Sequence, residues 1–151
     1  MPQSLSAVHV HLVFSTKERR PRLRDAEIRR ELHTYLGGVS RELGCPPFQV
    51  GVVADHVHVL ARLGRTTTQA DWVKELKRSS SLWIKEKTPS LAAFQWQAGY
   101  SCFSVSHSNL AQVMDYVVHQ EEHHRTLNFD DELRALLRKH EIEFDEKYLW
   151  N

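Results

Sequence analysis

Two hydrophobic periods succeed one another along the chain, and their order narrows the folds open to it. Ala7-Val8-His9-Val10-His11-Leu12-Val13-Phe14 alternates and is β-branched, the mark of a strand. Asp25 is a good N-cap, and Ile28, Leu32, Leu36 and Val39 recur at helical spacing behind it, to about Leu43. Gly44 and Pro46-Pro47 stop that helix. Residues 48–53 read as a second strand, Ala54-Asp55 as a turn, and residues 56–63 as a third strand, so the two strands form a hairpin. Thr68 to about Lys87 is a second long helix, and Trp96 to Val105 is a strand, split at Gly99. The order β-α-β-β-α-β is the split βαβ, ferredoxin-like one: an α+β fold with an antiparallel sheet and two helices on one face. A third helix, capped by Ser106 or Ser108, ends near Arg125, and a last one covers about Asp130 to His140. On this reading the other sheet face stays free for a site or a partner.

A chain of 151 residues is the size of one ordinary domain. The expectation is a single domain over 1–151, with a core over 5–125 and a helical extension over 126–151. No apolar run approaches the roughly 20 residues of a membrane helix, and the N-terminus has no basic-then-apolar leader. A cytoplasmic protein without membrane contact is expected. Cys45 and Cys102 form neither a disulfide framework nor a zinc motif. Residues 1–100 carry 15 lysines and arginines against 9 acidic residues, and residues 101–151 carry 5 against 10. A basic body with an acidic tail is compatible with phosphate binding by the first part.

Alternate strand side chains share a face, so His56 and His58 project together and Val57 and Val59 oppose them. Two imidazoles so spaced can grip one metal ion and leave coordination positions for substrate oxygens. His9-Val10-His11 has the same spacing, and spacing does not choose between the pairs. Asp55 reads as a turn residue or a supporting partner of the pair.

On the third helix Leu110, Val113 and Val117 form an apolar stripe, while Tyr116, His119, Gln120 and His123 cluster on another face. A tyrosine hydroxyl, with an ordinary pKa near 10, needs an activating neighbour to act as a nucleophile. A metal site beside Tyr116 would supply one, with the Gln120 carbonyl as a third oxygen ligand. Lys74, Lys77, Arg78 and Lys85 share a face of the second helix, opposite Val73, Leu76, Ser80 and Trp83. With the basic turn that holds Lys17, Arg19, Arg20, Arg22 and Arg24, that face is a candidate track for nucleic-acid phosphates. Trp72 and Trp96 are core residues first and base-stacking candidates second.

Five segments occur in order: His11-Leu12-Val13-Phe14-Ser15-Thr16-Lys17, Asp55-His56-Val57-His58-Val59-Leu60, Phe94-Gln95-Trp96-Gln97-Ala98-Gly99-Tyr100, Phe103-Ser104-Val105-Ser106 and Tyr116-Val117-Val118-His119-Gln120. With these the chain resembles the single-tyrosine HUH transposases (His-hydrophobic-His), including their REP-associated domesticated relatives. The resemblance implies a ferredoxin-like fold whose extra C-terminal helices carry the catalytic tyrosine. It implies His56, His58 and Gln120 as ligands of Mg²⁺ or Mn²⁺, and Tyr116 as nucleophile. It implies a homodimer, in which the tyrosine helix can reach the histidine pair of the other subunit to make composite sites. The implied activity is cleavage and rejoining of hairpin-bearing single-stranded DNA through a 5′-phosphotyrosine, without ATP. The alternatives are a domesticated hairpin-binding protein without transposition activity and an unrelated metal hydrolase. The lack of a carboxylate-rich cluster argues against the hydrolase. Leu133, Leu136 and Leu137 are the expected apolar contacts of the acidic extension, on the body or a dimer.

Overall fold

The structure is a computed structural model that describes residues 2–123 and 127–151, without the side chains of Glu121 and His123. Its sheet has four strands, β1 (His9–Ser15), β2 (Pro47–Val52), β3 (His56–Arg62) and β4 (Ser101–Val105), in the order β2-β3-β1-β4. Every neighbouring pair is antiparallel. This is the expected α+β, split βαβ arrangement, with β3 inserted between β1 and β2. Helices α1 (Ala26–Glu42) and α2 (Gln69–Lys87) begin at side-chain caps: Asp25 accepts from the Glu27 amide, and Thr68 from that of Asp71.

The pleat sends Val10, Leu12 and Phe14 of β1 and Val57, Val59 and Ala61 of β3 into one core with Leu32 and Leu36 of α1 and Trp72, Leu76 and Ile84 of α2. Both core tryptophans satisfy their indole N–H inside it: Trp72 donates to the Ser40 hydroxyl and Trp96 to that of Ser80, each at 2.9 Å. Neither presents a face to a base. Trp83 is only half-buried and stacks on Tyr35 of α1 at 5.0 Å.

The second face of the sheet is not free, contrary to expectation. Helices α3 (Leu110–Val118), α4 (Gln120–His123) and α5 (Phe129–Lys139) follow β4. Phe129, Leu133 and Leu137 lie at i, i+4 and i+8 along α5, and that stripe has to be buried somewhere. It packs on Val13 and Phe103 of the sheet in a second core, with Leu136, Phe144, Leu149 and Trp150 at its margin.

Two expected elements are interrupted, and at each interruption a side chain reaches backbone carbonyls. The third helix stops at His119. There the side-chain amide of Gln120 donates to the Tyr116 carbonyl at 3.2 Å, the acceptor that a continuing helix offers to a backbone N–H. The expected end near Arg125 lies outside the described residues. The fourth strand is split as read: Trp96 makes a lone bridge to Thr16, and pairing resumes at Ser101. Between them the Lys77 ammonium collects the carbonyls of Gln97, Ala98 and Gly99 at 2.9, 3.2 and 2.5 Å. Among the described residues no helix is long and apolar enough to cross a membrane.

Candidate active site

His56 and His58 project from β3 onto the second face, where α3 and α5 bury both completely. Each ring is held through Nδ1. The Asp55 carboxylate sits 2.7 Å from Nδ1 of His56, and Nε2 of His11 lies 2.7 Å from Nδ1 of His58. His11 pairs with Leu60 across the β1–β3 ladder, and His58 with Val13, so the two imidazoles are diagonal neighbours. Burial, and after it the neighbouring His58, hold the His11 pKa well below the ordinary histidine value, against a smaller upward pull from Glu132. His11 is therefore a neutral ring, able to donate from one nitrogen and accept at the other.

With both Nδ1 atoms engaged, the two Nε2 atoms face one oxygen. Oε1 of Glu132, from α5, lies 3.0 Å from Nε2 of His58 and 3.7 Å from that of His56. The Glu132 side chain is 2% exposed. His56, His58 and Glu132 form a buried group whose ligand atoms all lie within 4.8 Å of one another. Phe129, one turn before Glu132, stacks on His56 with ring centroids 3.9 Å apart, so α5 holds the pair through both an aromatic and a carboxylate.

Tyr116 reaches this group within a single chain. Its ring meets His58 edge-on at 5.9 Å and His11 at 6.2 Å. Its hydroxyl is hydrogen-bonded to the Glu132 carboxylate and to the side chain of Gln120. Burial first, then the Glu132 charge and hydrogen bond, hold the phenol above its ordinary pKa, while Gln120 pulls it down. Gln120 is buried. His119 is bound to the Asp115 carbonyl at 2.8 Å, and the side chain of His123 lies outside the description.

The approach of α3 depends on Gly51, which pairs with His58 in the β2–β3 ladder. A Cβ there would meet the Val117 carbonyl at 2.9 Å and Cγ of Gln120 at 3.4 Å. The missing side chain is what lets the tyrosine helix lie against the sheet.

The profile of the IS200-like transposases matches residues 4–120. The chain belongs to that family. Its fold is shared with a Deinococcus radiodurans protein assigned as a transposase, at TM-score 0.62 and 24% identity over 80% of this chain and 95% of that one. It is shared also with a REP-associated tyrosine transposase bound to a REP hairpin, at TM-score 0.59 and 14% identity over 82% of this chain and 72% of that one. No curated protein matches the chain. The family match ends at Gln120, so α5 and Glu132 lie outside the matched part of the chain.

Of the six basic residues expected to contact nucleic acid, Lys17, Arg20, Lys74 and Arg78 are exposed. Lys17 and Arg20 line one shallow cleft, and Lys74, Lys77 and Arg78 line another of about 520 Å³. Gln95 belongs to both, so the basic turn and the basic helix adjoin. Arg20 is paired with Glu18, and Arg78 with Glu75, each at 2.8 Å. Two of the six are committed to the fold. Lys77 caps the carbonyls of the 97–99 loop, and burial lowers its pKa to about 8. Arg19 is ion-paired with Asp130 and lies over the Trp150 ring at 4.2 Å, which ties the basic turn to the C-terminal extension.

The sequence reading missed Glu132 and the role of His11. The signal for Glu132 was a carboxylate inside the apolar stripe Phe129–Leu133–Leu137, a position that strands a charge unless a partner waits for it. For His11 it was the shared spacing of the two histidine pairs, since neighbouring strands place such pairs face to face.

Proposed function

We propose that this chain is a single-strand DNA nuclease and strand transferase whose nucleophile is Tyr116 and whose metal ligands are His56, His58 and Glu132, with Gln120 positioning the tyrosine. One observation carries the reading: the Tyr116 hydroxyl and both histidine Nε2 atoms converge on the same buried carboxylate, in one chain.

The donor set fits a divalent cation. Metal-binding histidines characteristically donate the other ring N–H to a carboxylate or a carbonyl, and here both Nδ1 atoms are held, by Asp55 and by His11. Without a cation, Nε2–H of His58 donates to Glu132 and its Nδ1 accepts from His11. With Nε2 deprotonated, His58 donates from Nδ1 and the neutral His11 accepts, so no heavy atom has to move. Two imidazoles and a carboxylate suit a divalent transition metal such as Mn²⁺, with open positions for oxygen, better than Mg²⁺, which prefers oxygen ligands. Such an ion supplies charge to polarise a phosphodiester and to offset the Glu132 charge that holds the Tyr116 proton in place.

The chain's own groups account for the rest. Gln120 and the packing on Gly51 hold the phenol against the histidine pair, so attack starts from a fixed geometry. The bond from Tyr116 Oη to phosphorus forms as the bond from phosphorus to the 3′-oxygen breaks. The phenol proton leaves through the Glu132 carboxylate to solvent, and the departing 3′-oxygen, on the opposite side of phosphorus, takes its proton from water. A second 3′-hydroxyl reverses the exchange, one phosphodiester for another, so no ATP is needed. The exposed Lys17, Arg20, Lys74 and Arg78 would hold the DNA backbone. A REP hairpin is the ligand of the structural relative, and a hairpin-bearing single strand is the proposed substrate here. Because Tyr116 already meets His58 in its own chain, the proposed site acts in cis, and a homodimer is not required to complete it. The chain is then one functional unit over 1–151, with the extension supplying part of the site.

The test is cleavage of an end-labelled hairpin with a single-stranded flank, with and without Mn²⁺ or Mg²⁺. Cleavage is expected only with metal, and it should be lost in Tyr116→Phe and in His58→Ala. Hairpin binding without cleavage at any metal concentration would support the domesticated binding protein instead.

A further inference from the structure

Beside Tyr116 a cleft of about 460 Å³ opens between β4, α3 and α5. We infer that it seats one unstacked base of the DNA strand, next to the phosphate that Tyr116 attacks. The inference rests on the function proposed above and adds a place where the protein itself reads the strand.

Position comes first. The inner end of the cleft is made by His11, Tyr116 and Glu132, the groups around the proposed reaction centre. A nucleotide joined to a phosphate at Tyr116 has this cleft as its neighbouring space. Size agrees, because ligand clefts begin at about 300 Å³ and a base with its sugar is a small ligand.

The walls match a base in character. Val113 and Leu136, both only partly buried, give apolar surface for its faces, and the buried Phe103 lies beneath them. Phe103 is itself fixed by stacking on His140 at 4.5 Å. Asn109 and Gln112, both exposed on the α3 side, each offer a donor and an acceptor, the pair needed to read a base edge. Lys139 stands on the α5 side as the cation for a flanking phosphate. Leu136 and Lys139 lie beyond the part of the chain that matches the family, so the extension builds one wall of this cleft.

An abasic scan tests it. The full-length Tyr116→Phe protein, which keeps the ring but cannot cleave, is titrated by fluorescence anisotropy with a hairpin carrying a single-stranded flank. Oligonucleotides lacking one base at each flank position in turn are compared with the intact one. One position is expected to bind about tenfold more weakly when abasic. That penalty should vanish in the added variant Ala135→Trp, where an indole from an exposed position on the wall fills the cleft, and it should shrink in Gln112→Ala. Melting curves check that both variants fold. With the cleavage site mapped on the active protein, the sensitive position reports which side of the scissile phosphate the cleft takes. A scan with no sensitive position overturns the inference, and so does a penalty that survives Ala135→Trp undiminished. The scan needs no cleavage to be read. Failure of the active protein to form a covalent product would refute the proposed function instead, and the two failures are separate.

Discussion

Replacing Glu132 by glutamine removes one charge from the buried group and leaves its shape. Without metal, a glutamine oxygen can still accept from Nε2 of His58, now 3.0 Å from the carboxylate. The loss is then the difference between charge-assisted and neutral hydrogen bonds, about 1 kcal/mol for each of the two partners, His58 and Tyr116. With metal the loss is larger. Partners that merely orient ligands cost about 10–100-fold in affinity when removed, so a carboxylate that is itself a ligand should cost at least the upper end. Added at a hundred times its dissociation constant, Mn²⁺ should stabilise the unaltered protein by about 2.7 kcal/mol. For a chain of this length that is a rise in Tm of roughly 5–10 °C. A hundredfold weaker site at the same concentration would gain only about 0.4 kcal/mol, a rise of about 1 °C. Melting curves with and without Mn²⁺, joined to calorimetric titration of the metal-free protein, separate the two effects. If Glu132→Gln bound Mn²⁺ within threefold of the unaltered protein, the carboxylate would not be a ligand, and its burial beside the histidines would need another reason.

Three further outcomes follow from the same geometry. Asp55→Asn keeps an acceptor for Nδ1 of His56 but loses the charge, and should weaken metal binding about 10–100-fold by titration while changing the metal-free Tm little. Gly51→Ala drives a Cβ into the Val117 carbonyl, which cannot swing aside; about 1–3 kcal/mol of stability should go, seen as a lower Tm, with cleavage falling further because Tyr116 and Gln120 move with the helix. Lys74→Ala should lower the salt slope of DNA binding by about 0.7–0.9, one phosphate contact, whereas Arg19→Ala should leave that slope unchanged and lower the Tm, since Arg19 is engaged by Asp130 and Trp150.

Much of this architecture is legible in the sequence because period 2 and period 3.6 are local properties. The alternation of Val10, Leu12 and Phe14 and the spacing of Ile28, Leu32 and Leu36 settle their elements without knowledge of partners. The nearness of His56, His58, Tyr116 and Gln120 was legible only through the ordered motifs. What stayed hidden depends on long-range packing. Glu132 lies 74 residues from His58, and its role appears only once the α5 stripe is known to cover the second sheet face. Arg19 reads as one more cation of a basic turn until Asp130, 111 residues away, neutralises it. Lys77 keeps helical spacing with Lys74 and Arg78 but is turned inward by three loop carbonyls. The stop at His119 coincides with a side-chain amide bonding a backbone carbonyl, a contact that periodicity does not register.

The central claim is that Tyr116 becomes joined to DNA within the chain that supplies His56, His58 and Glu132. The most direct measurement is peptide mass spectrometry of the protein after incubation with a hairpin-bearing single strand and Mn²⁺, followed by nuclease trimming. The account predicts one metal-dependent nucleotide adduct, on the peptide that contains Tyr116 and on its hydroxyl, absent from Tyr116→Phe. It predicts further that mixing Tyr116→Phe with a His58→Ala chain restores no adduct, because the site closes in cis. An adduct on another residue, or one formed by Tyr116→Phe, would contradict the assignment of the nucleophile. Restoration in the mixture would contradict the single-chain site.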